Sequence, residues 1–155
     1  SECLVGSEMC IRDSIKASSQ WILIDAARRR PIALRENLPM YQVIGERVID
    51  TDFPKISEPQ KIDEAAEFFI RFDDIDLNNH VNNAVYPLWA SEAVGIDFRA
   101  AHTPAEIEIA FKKEGLYGED IRVETEFDNL TTIHRIKATG DGRELARVRI
   151  CWIGI

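Results

Sequence analysis

In the stretch "DLNNH", residues 76 to 80, a carboxylate, an amide and an imidazole fall at alternate positions: Asp76, Asn78 and His80. In an extended segment these side chains project to one side. An apolar segment follows at once. Asn82 or Asn83 is a natural N-cap for it, because a side-chain oxygen there accepts an otherwise unpaired backbone N–H. A helix starting here turns its free N–H groups and the positive end of its dipole toward the trio. The inventory is then a carboxylate to orient water, an amide to donate to an oxygen, a histidine to move protons and backbone donors for an oxyanion. It suits hydrolysis of an activated acyl group. From spacing alone a blander arrangement carries more weight, since Asp and Asn before a helix are what capping favours and a lone histidine hydrogen-bonds its own loop. A metal centre is disfavoured, because one histidine with scattered carboxylates is no convincing ligand set, and His102 and His134 sit in unrelated surroundings. No cofactor is expected.

The elements that must hold these residues are partly legible. "EFFIRF" reads as a buried strand. Over about residues 82 to 95, Ala84, Val85, Leu88, Trp89, Ala93 and Val94 recur at helical spacing, with Pro87 near the start and Gly95 as a stop. Tyr86 and Trp89 suit helix–sheet packing or the wall of a pocket. Four strands follow. Ile107, Ile109 and Phe111 alternate in the first, and Ile121, Val123, Thr125 and Phe127 in the second. "TTIHRIKAT" is less regular, and Ala146, Val148, Ile150 and Trp152 share a face in the last. "DNL" and "GDG" suit hairpin turns, with Gly140 or Gly142 free to take positive φ. The order gives an α+β layout, an antiparallel sheet wrapped around one central helix. Before it, residues 7 to 26 read as two strands, "RRRPI" as a bend, and residues 46 to 62 as a linker holding two prolines. Asp73 and Asp74 read as loop solvation, and Cys151 and Trp152 as structural strand residues.

The chain has 155 residues, 45% hydrophobic and 30% charged, so it is globular with room for one full core or one domain plus part of another. A formal charge of −8 leaves no broad basic surface for nucleic acid. Basic residues cluster locally at Arg28, Arg29 and Arg30 and at Lys112 and Lys113. Such clusters are usually solvated faces, and more rarely docking patches for an acidic partner. Three cysteines at no metal-like spacing suit a reducing compartment. With no membrane-spanning run and no signal sequence at Ser1, a cytoplasmic protein is expected.

"RFDDIDLNNHVNNAVYPLW" closely resembles the signature of acyl–acyl-carrier-protein thioesterases, in which an Asp-x-Asn-x-His-Val-Asn-Asn run opens the central helix of a hotdog domain. Asn78 tilts the likeness to the carrier-protein branch over the wider acyl-CoA thioesterases. "IEIAFKKEGLYGEDIRV" is similar to the strand after that helix, where a catalytic glutamate follows a basic pair, and "QWILIDAARRRPIAL" to the closing strands of the first of two tandem hotdogs. The resemblance implies residues 1–45 as the end of a first hotdog, 46–62 as linker and 63–155 as a complete second one. It implies Asp76, Asn78, His80 and Glu114 as the catalytic set, with Val81, Asn82, Asn83, Tyr86 and Trp89 near the substrate. Glu114 or Asp76 is then expected to orient or deprotonate water, Asn78 to hold the carbonyl or that water, and His80 to pass a proton to the departing thiol. N–H groups near Val81 and Asn82 are expected to steady the oxyanion. Plant members carry a cysteine after the glutamate; here it is Gly115, which excludes an acyl-cysteine there and favours attack by water.

Strict alternation would put Glu114 on the opposite face from Ile107, Ile109 and Phe111. The expected partner is an acidic acyl carrier protein, landing on Lys112, Lys113 and the arginines at 28 to 30. An uncovered sheet edge invites a homodimer. The rival functions are a hotdog acyl-CoA thioesterase and a non-catalytic acyl-thioester-binding hotdog.

Overall fold

The computed structural model describes residues 4–5, 16–25, 27–28, 30–33, 37 and 49–155. The chain divides into two compact units, Ser1–Pro54 and Lys55–Ile155.

In the first unit β1 (Leu4–Val5) pairs antiparallel with β2 (Ser19–Gln20), and β3 (Ile24–Asp25) with β4 (Arg30–Pro31). Asp25 organises the β3–β4 turn by accepting the Ala27 and Arg28 N–H groups at 2.9 and 2.8 Å, the local bonding that makes Asp a turn former. Pro31 has no N–H to offer, and the Ile32 N–H makes the ladder bond instead, to the Leu23 carbonyl at 2.9 Å. The first strand expected over residues 7 to 26 lies mostly outside the described residues. The second is broken into two short pieces with Trp21 and Ile22 exposed, not one apolar strand.

The second unit carries the core. Its order is β5 (Glu64–Phe69), a 3-10 turn at Phe72–Asp74, α1 (Val85–Glu92), α2 (Ile96–Ala101), β6 (His102–Phe111), β7 (Asp120–Asp128), β8 (Thr131–Ala138) and β9 (Glu144–Gly154). The five strands form one antiparallel sheet in the order β5-β7-β8-β9-β6. Asn129 and Gly142 take positive φ at the two hairpin turns, 53° and 71°.

Alternation along β7 and β9 puts Ile121, Val123, Thr125, Ala146, Val148, Ile150 and Trp152 on the inner face, all buried. Strand β8 alternates just as strictly in burial. It looked irregular only because Thr132 and His134 occupy two of its four inward positions, with Ile136 and Ala138 in the others. Helix α1 covers this face with Tyr86, Trp89 and Ala90, and the turn that follows it adds Ala93 and Val94. The face therefore begins at Tyr86; Ala84 and Leu88, expected on it, are exposed. Burial of each large apolar side chain here contributes on the order of 1.5–3 kcal/mol. Pro87 is accommodated in the first turn, where backbone N–H groups lack intrahelical acceptors in any case. The helix is shorter than expected: it ends at Glu92, and Gly95, at φ +73°, turns the chain into a second helix that the periodicity did not reveal.

"EFFIRF" is also corrected. β5 starts at Glu64 and lies at a sheet edge, so Phe69 stays half exposed while Ile70, just past the strand, is buried. At the other edge Ile107 and Phe111 of β6 remain partly exposed, and Ile109 packs on the core.

The outer face of the sheet is ionic. Glu124 is buried among Arg122, Arg135 and Lys137. Residues 49 to 62 hold no helix or strand, yet part of this segment is fastened to that face. Arg147 bonds the Ile56 carbonyl and the Glu58 carboxylate, each at 2.9 Å, and the Gln60 N–H reaches Glu126 at 2.7 Å.

Candidate active site

Asp76, Asn78 and His80 do meet, by a different device from an extended pleat. The Ile75–Val81 bridge closes a tight loop in which the Asp76 N–H bonds the His80 carbonyl at 2.8 Å and the Asn79 N–H bonds the Asp76 carbonyl at 3.0 Å. Asn79 sits at φ +63°, a conformation that asparagine tolerates better than most residues. Inside the loop Asp76 Oδ1 accepts the Asn78 N–H at 2.8 Å and lies 3.4 Å from the His80 N–H; Oδ2 lies 3.4 Å from Asn78 Nδ2. The Asn78 N–H holds the Asp76 carboxyl below its usual range, against a smaller opposing effect of desolvation. Asp76 is thus an ionised organiser of the loop.

Glu114 comes from a distant segment. Strand β6 ends at Phe111, so strand alternation does not govern position 114, and the apparent conflict over its facing disappears. Glu114 Oε2 lies 3.3 Å from His80 Nε2, and both side chains are substantially exposed. A carboxylate only accepts hydrogen bonds, so a bond made across this contact has the imidazole proton on Nε2 and Nδ1 as the basic nitrogen.

Two expected donors are already in use. The Val81 N–H bonds the Gly115 carbonyl at 3.0 Å and the Asn82 N–H the Asp74 carbonyl at 2.8 Å. Neither is free to steady an oxyanion, because tertiary pairing has consumed both. The Asn82 side chain accepts the Ala84 N–H at 3.0 Å, a local bond just ahead of α1, whose N-cap position is Ala84. Among the described residues nothing accepts the Asn83 N–H. Tyr86 and Trp89 belong to the core, 5.4 Å apart edge to face, and Trp89 also stacks on Phe68. Asp74 is buried and ion-paired with Arg71 at 2.9 Å, so its part is structural, not loop solvation.

Gly115 is buried, and a Cβ there would lie 3.0 Å from Val81 Cγ2, 3.1 Å from Ile70 Cδ1 and 3.3 Å from Leu145 Cδ1. The position has no room for a thiol without displacing core side chains. The sequence missed Arg143, which reaches the Glu114 carbonyl at 3.3 Å from the far end of a hairpin; no local pattern marks that meeting.

The basic candidates separate. Arg28 and Arg30 are exposed in the first unit, and Arg29 lies outside the described residues. Among the described residues from Lys55 onward, every arginine and lysine except Lys55, Lys112 and Lys113 makes an ion pair. Lys112 and Lys113 directly precede Glu114.

Comparison with known proteins follows the same lines. Residues 57–154 match the family model of the acyl-ACP thioesterase C-terminal domain. The palmitoyl-acyl carrier protein thioesterase of Arabidopsis thaliana, a chloroplastic protein, is 24% identical over 159 residues, spanning 88% of this chain and 37% of the relative. This chain thus covers little more than a third of that relative's length. Among solved structures, the 12:0-ACP thioesterase of Umbellularia californica aligns with a TM-score of 0.71 at 20% identity, over 85% of this chain and 53% of that one. An acyl-ACP thioesterase of Bacteroides thetaiotaomicron aligns with a TM-score of 0.59 at 19% identity, over 84% and 53%. These likenesses show the hotdog fold. The family match spans well over half of the sequence and both segments that meet at His80 and Glu114, and the chain therefore belongs to the acyl-ACP thioesterase family.

Proposed function

We propose that the protein hydrolyses the thioester of a fatty acyl–acyl carrier protein to a free fatty acid, by attack of water. The observation that carries this reading is the 3.3 Å contact between His80 Nε2 and Glu114 Oε2, beside a loop organised by Asp76. Glu114 accepts the Nε2–H and orients the ring. His80 Nδ1 takes a proton from water as the water oxygen adds to the thioester carbonyl carbon, and Glu114 stabilises the imidazolium that forms. The negative charge moves to the carbonyl oxygen, for which the Asn78 amide and the Asn83 N–H are the available donors. When the tetrahedral centre collapses, the C–S bond breaks and His80 returns its proton to the thiolate. Asp76 holds the loop and does not serve as the base, since its oxygens already accept from Asn78.

The carrier is acidic, and the free cations Lys112 and Lys113 beside Glu114 support a docking role, with Arg28, Arg29 and Arg30 as a second patch in the first unit. A homodimer through an open sheet edge is part of the same proposal. So is the cytoplasmic setting, although the Arabidopsis relative is chloroplastic. No helix among the described residues is long and apolar enough to cross a membrane.

The test is thiol release from a panel of acyl-carrier and acyl-CoA thioesters of graded chain length. Turnover with preference for the carrier-bound substrate is expected. Stoichiometric binding without release would replace the enzyme with a binding protein, and preference for acyl-CoA would move it to the other branch.

A further inference from the structure

We propose that Val81, Gly115 and Arg143 form a clamp that positions Glu114 against His80. The Gly115 carbonyl accepts the Val81 N–H at 3.0 Å, and Gly115 is itself buried. One residue earlier the Glu114 carbonyl accepts from Arg143 Nη2 at 3.3 Å. Arg143 is itself immobilised by ion pairs with Glu119 and Asp141, and Glu119 also accepts the Leu116 N–H at 2.9 Å. The Lys112 N–H bonds the Leu145 carbonyl at 2.8 Å. The loop from Lys112 to Glu119 is therefore pinned by its backbone on either side of Glu114, while the Glu114 carboxylate stays free of the clamp and faces His80.

Gly115 makes this possible. A Cβ at that position meets Val81, Ile70 and Leu145 at 3.0 to 3.3 Å, and these are core side chains with little freedom to withdraw. Any side chain would move the loop outward by tenths of an ångström, lengthening the Val81–Gly115 bond and with it the His80–Glu114 contact. Gly115 and Arg143 touch no reacting atom in this scheme; they act through the Glu114 backbone.

The kinetic part of this inference rests on the thioesterase reading, so the test has an arm that does not. Gly115→Ala, Arg143→Gln and Arg143→Lys are compared with the full chain in thiol release, in thermal midpoint and in amide hydrogen exchange. Gly115→Ala is expected to accelerate exchange at the Val81 amide while the β7–β9 amides stay protected. It is also expected to lower kcat about tenfold to a hundredfold, the range in which small misplacements act, with KM within about twofold. Arg143→Lys should retain more kcat than Arg143→Gln. Unchanged exchange at Val81 in Gly115→Ala overturns the clamp, whatever the activity. Accelerated exchange with full kcat overturns its positioning role. A wild-type chain that releases no thiol refutes the thioesterase reading, and the exchange measurement still decides whether the clamp exists.

Discussion

His134 and His80 lie in the same unit, each beside side chains that could take or give a proton, and they are built for opposite ends. The ring of His134 is fully buried on the inner face of the sheet. Its Nδ1 meets Thr125 Oγ1 at 3.0 Å and its Nε2 meets Thr132 Oγ1 at 2.7 Å, and Thr132 also accepts the Trp152 indole N–H at 2.9 Å. Both ring nitrogens are occupied, no carboxylate stands near, and burial pushes the pKa down to about 3. Such a ring stays neutral and fixes strand neighbours in a unique packing. The ring of His80 is part exposed, and its Nε2 lies 3.3 Å from the Glu114 carboxylate. Histidine chemistry is thus decided by what remains unsatisfied. Burial and two hydroxyl partners make a structural residue; exposure beside a carboxylate is what the working role proposed for His80 requires.

The comparison breaks most sharply under truncation. His80→Ala or Glu114→Ala should lower kcat by about 10²- to 10⁴-fold, with a thermal midpoint close to wild type. Full activity in either variant would remove His80 from its role. His134→Ala should do the reverse. It leaves a cavity and an unpaired Thr125 hydroxyl in the core, and should cost about 3 kcal/mol of stability in a urea titration, with the kcat of the folded fraction retained.

Acid sharpens the contrast further. The folded pKa of His134 lies near 3 and the unfolded one near 6.5, so below about pH 6.5 the unfolded chain takes up a proton that the folded chain refuses. Its stability is full above that pH and falls progressively toward pH 3. Denaturant midpoints of wild type and His134→Gln should therefore converge as pH drops from 7 to 4; parallel curves would mean the ring already titrates normally. The smallest effect is expected at the rim of the working site. Lys112→Glu with Lys113→Glu should raise KM for acyl-carrier substrates roughly fivefold and leave acyl-CoA nearly untouched. Equal changes for both would argue against docking there.

Much of the fold was legible because its cues are local. Period-two alternation identified β7 and β9, and turn residues identified the hairpins, where Asn129 and Gly142 do take positive φ. The cues failed where tertiary neighbours decide. Leu88 lies on the outside of α1 although its spacing suited the core, and α2 is a short helix with no buried residue to create a pattern. The inward face of β8 was obscured because its Thr and His are satisfied by one another and read as polar.

The sequence by itself determined the family, the antiparallel sheet around a helix, and the residues Asp76, Asn78, His80 and Glu114 as candidates. Motif and periodicity are properties of neighbouring positions along the chain. Only the tertiary structure decided which groups remain free to act. It closed the 76–80 loop as a turn, consumed the Val81 and Asn82 N–H groups in pairing, and brought Glu114 to within 3.3 Å of His80. A hydrogen-bonding group is available or spent according to partners that lie far away in sequence, and no local pattern records them.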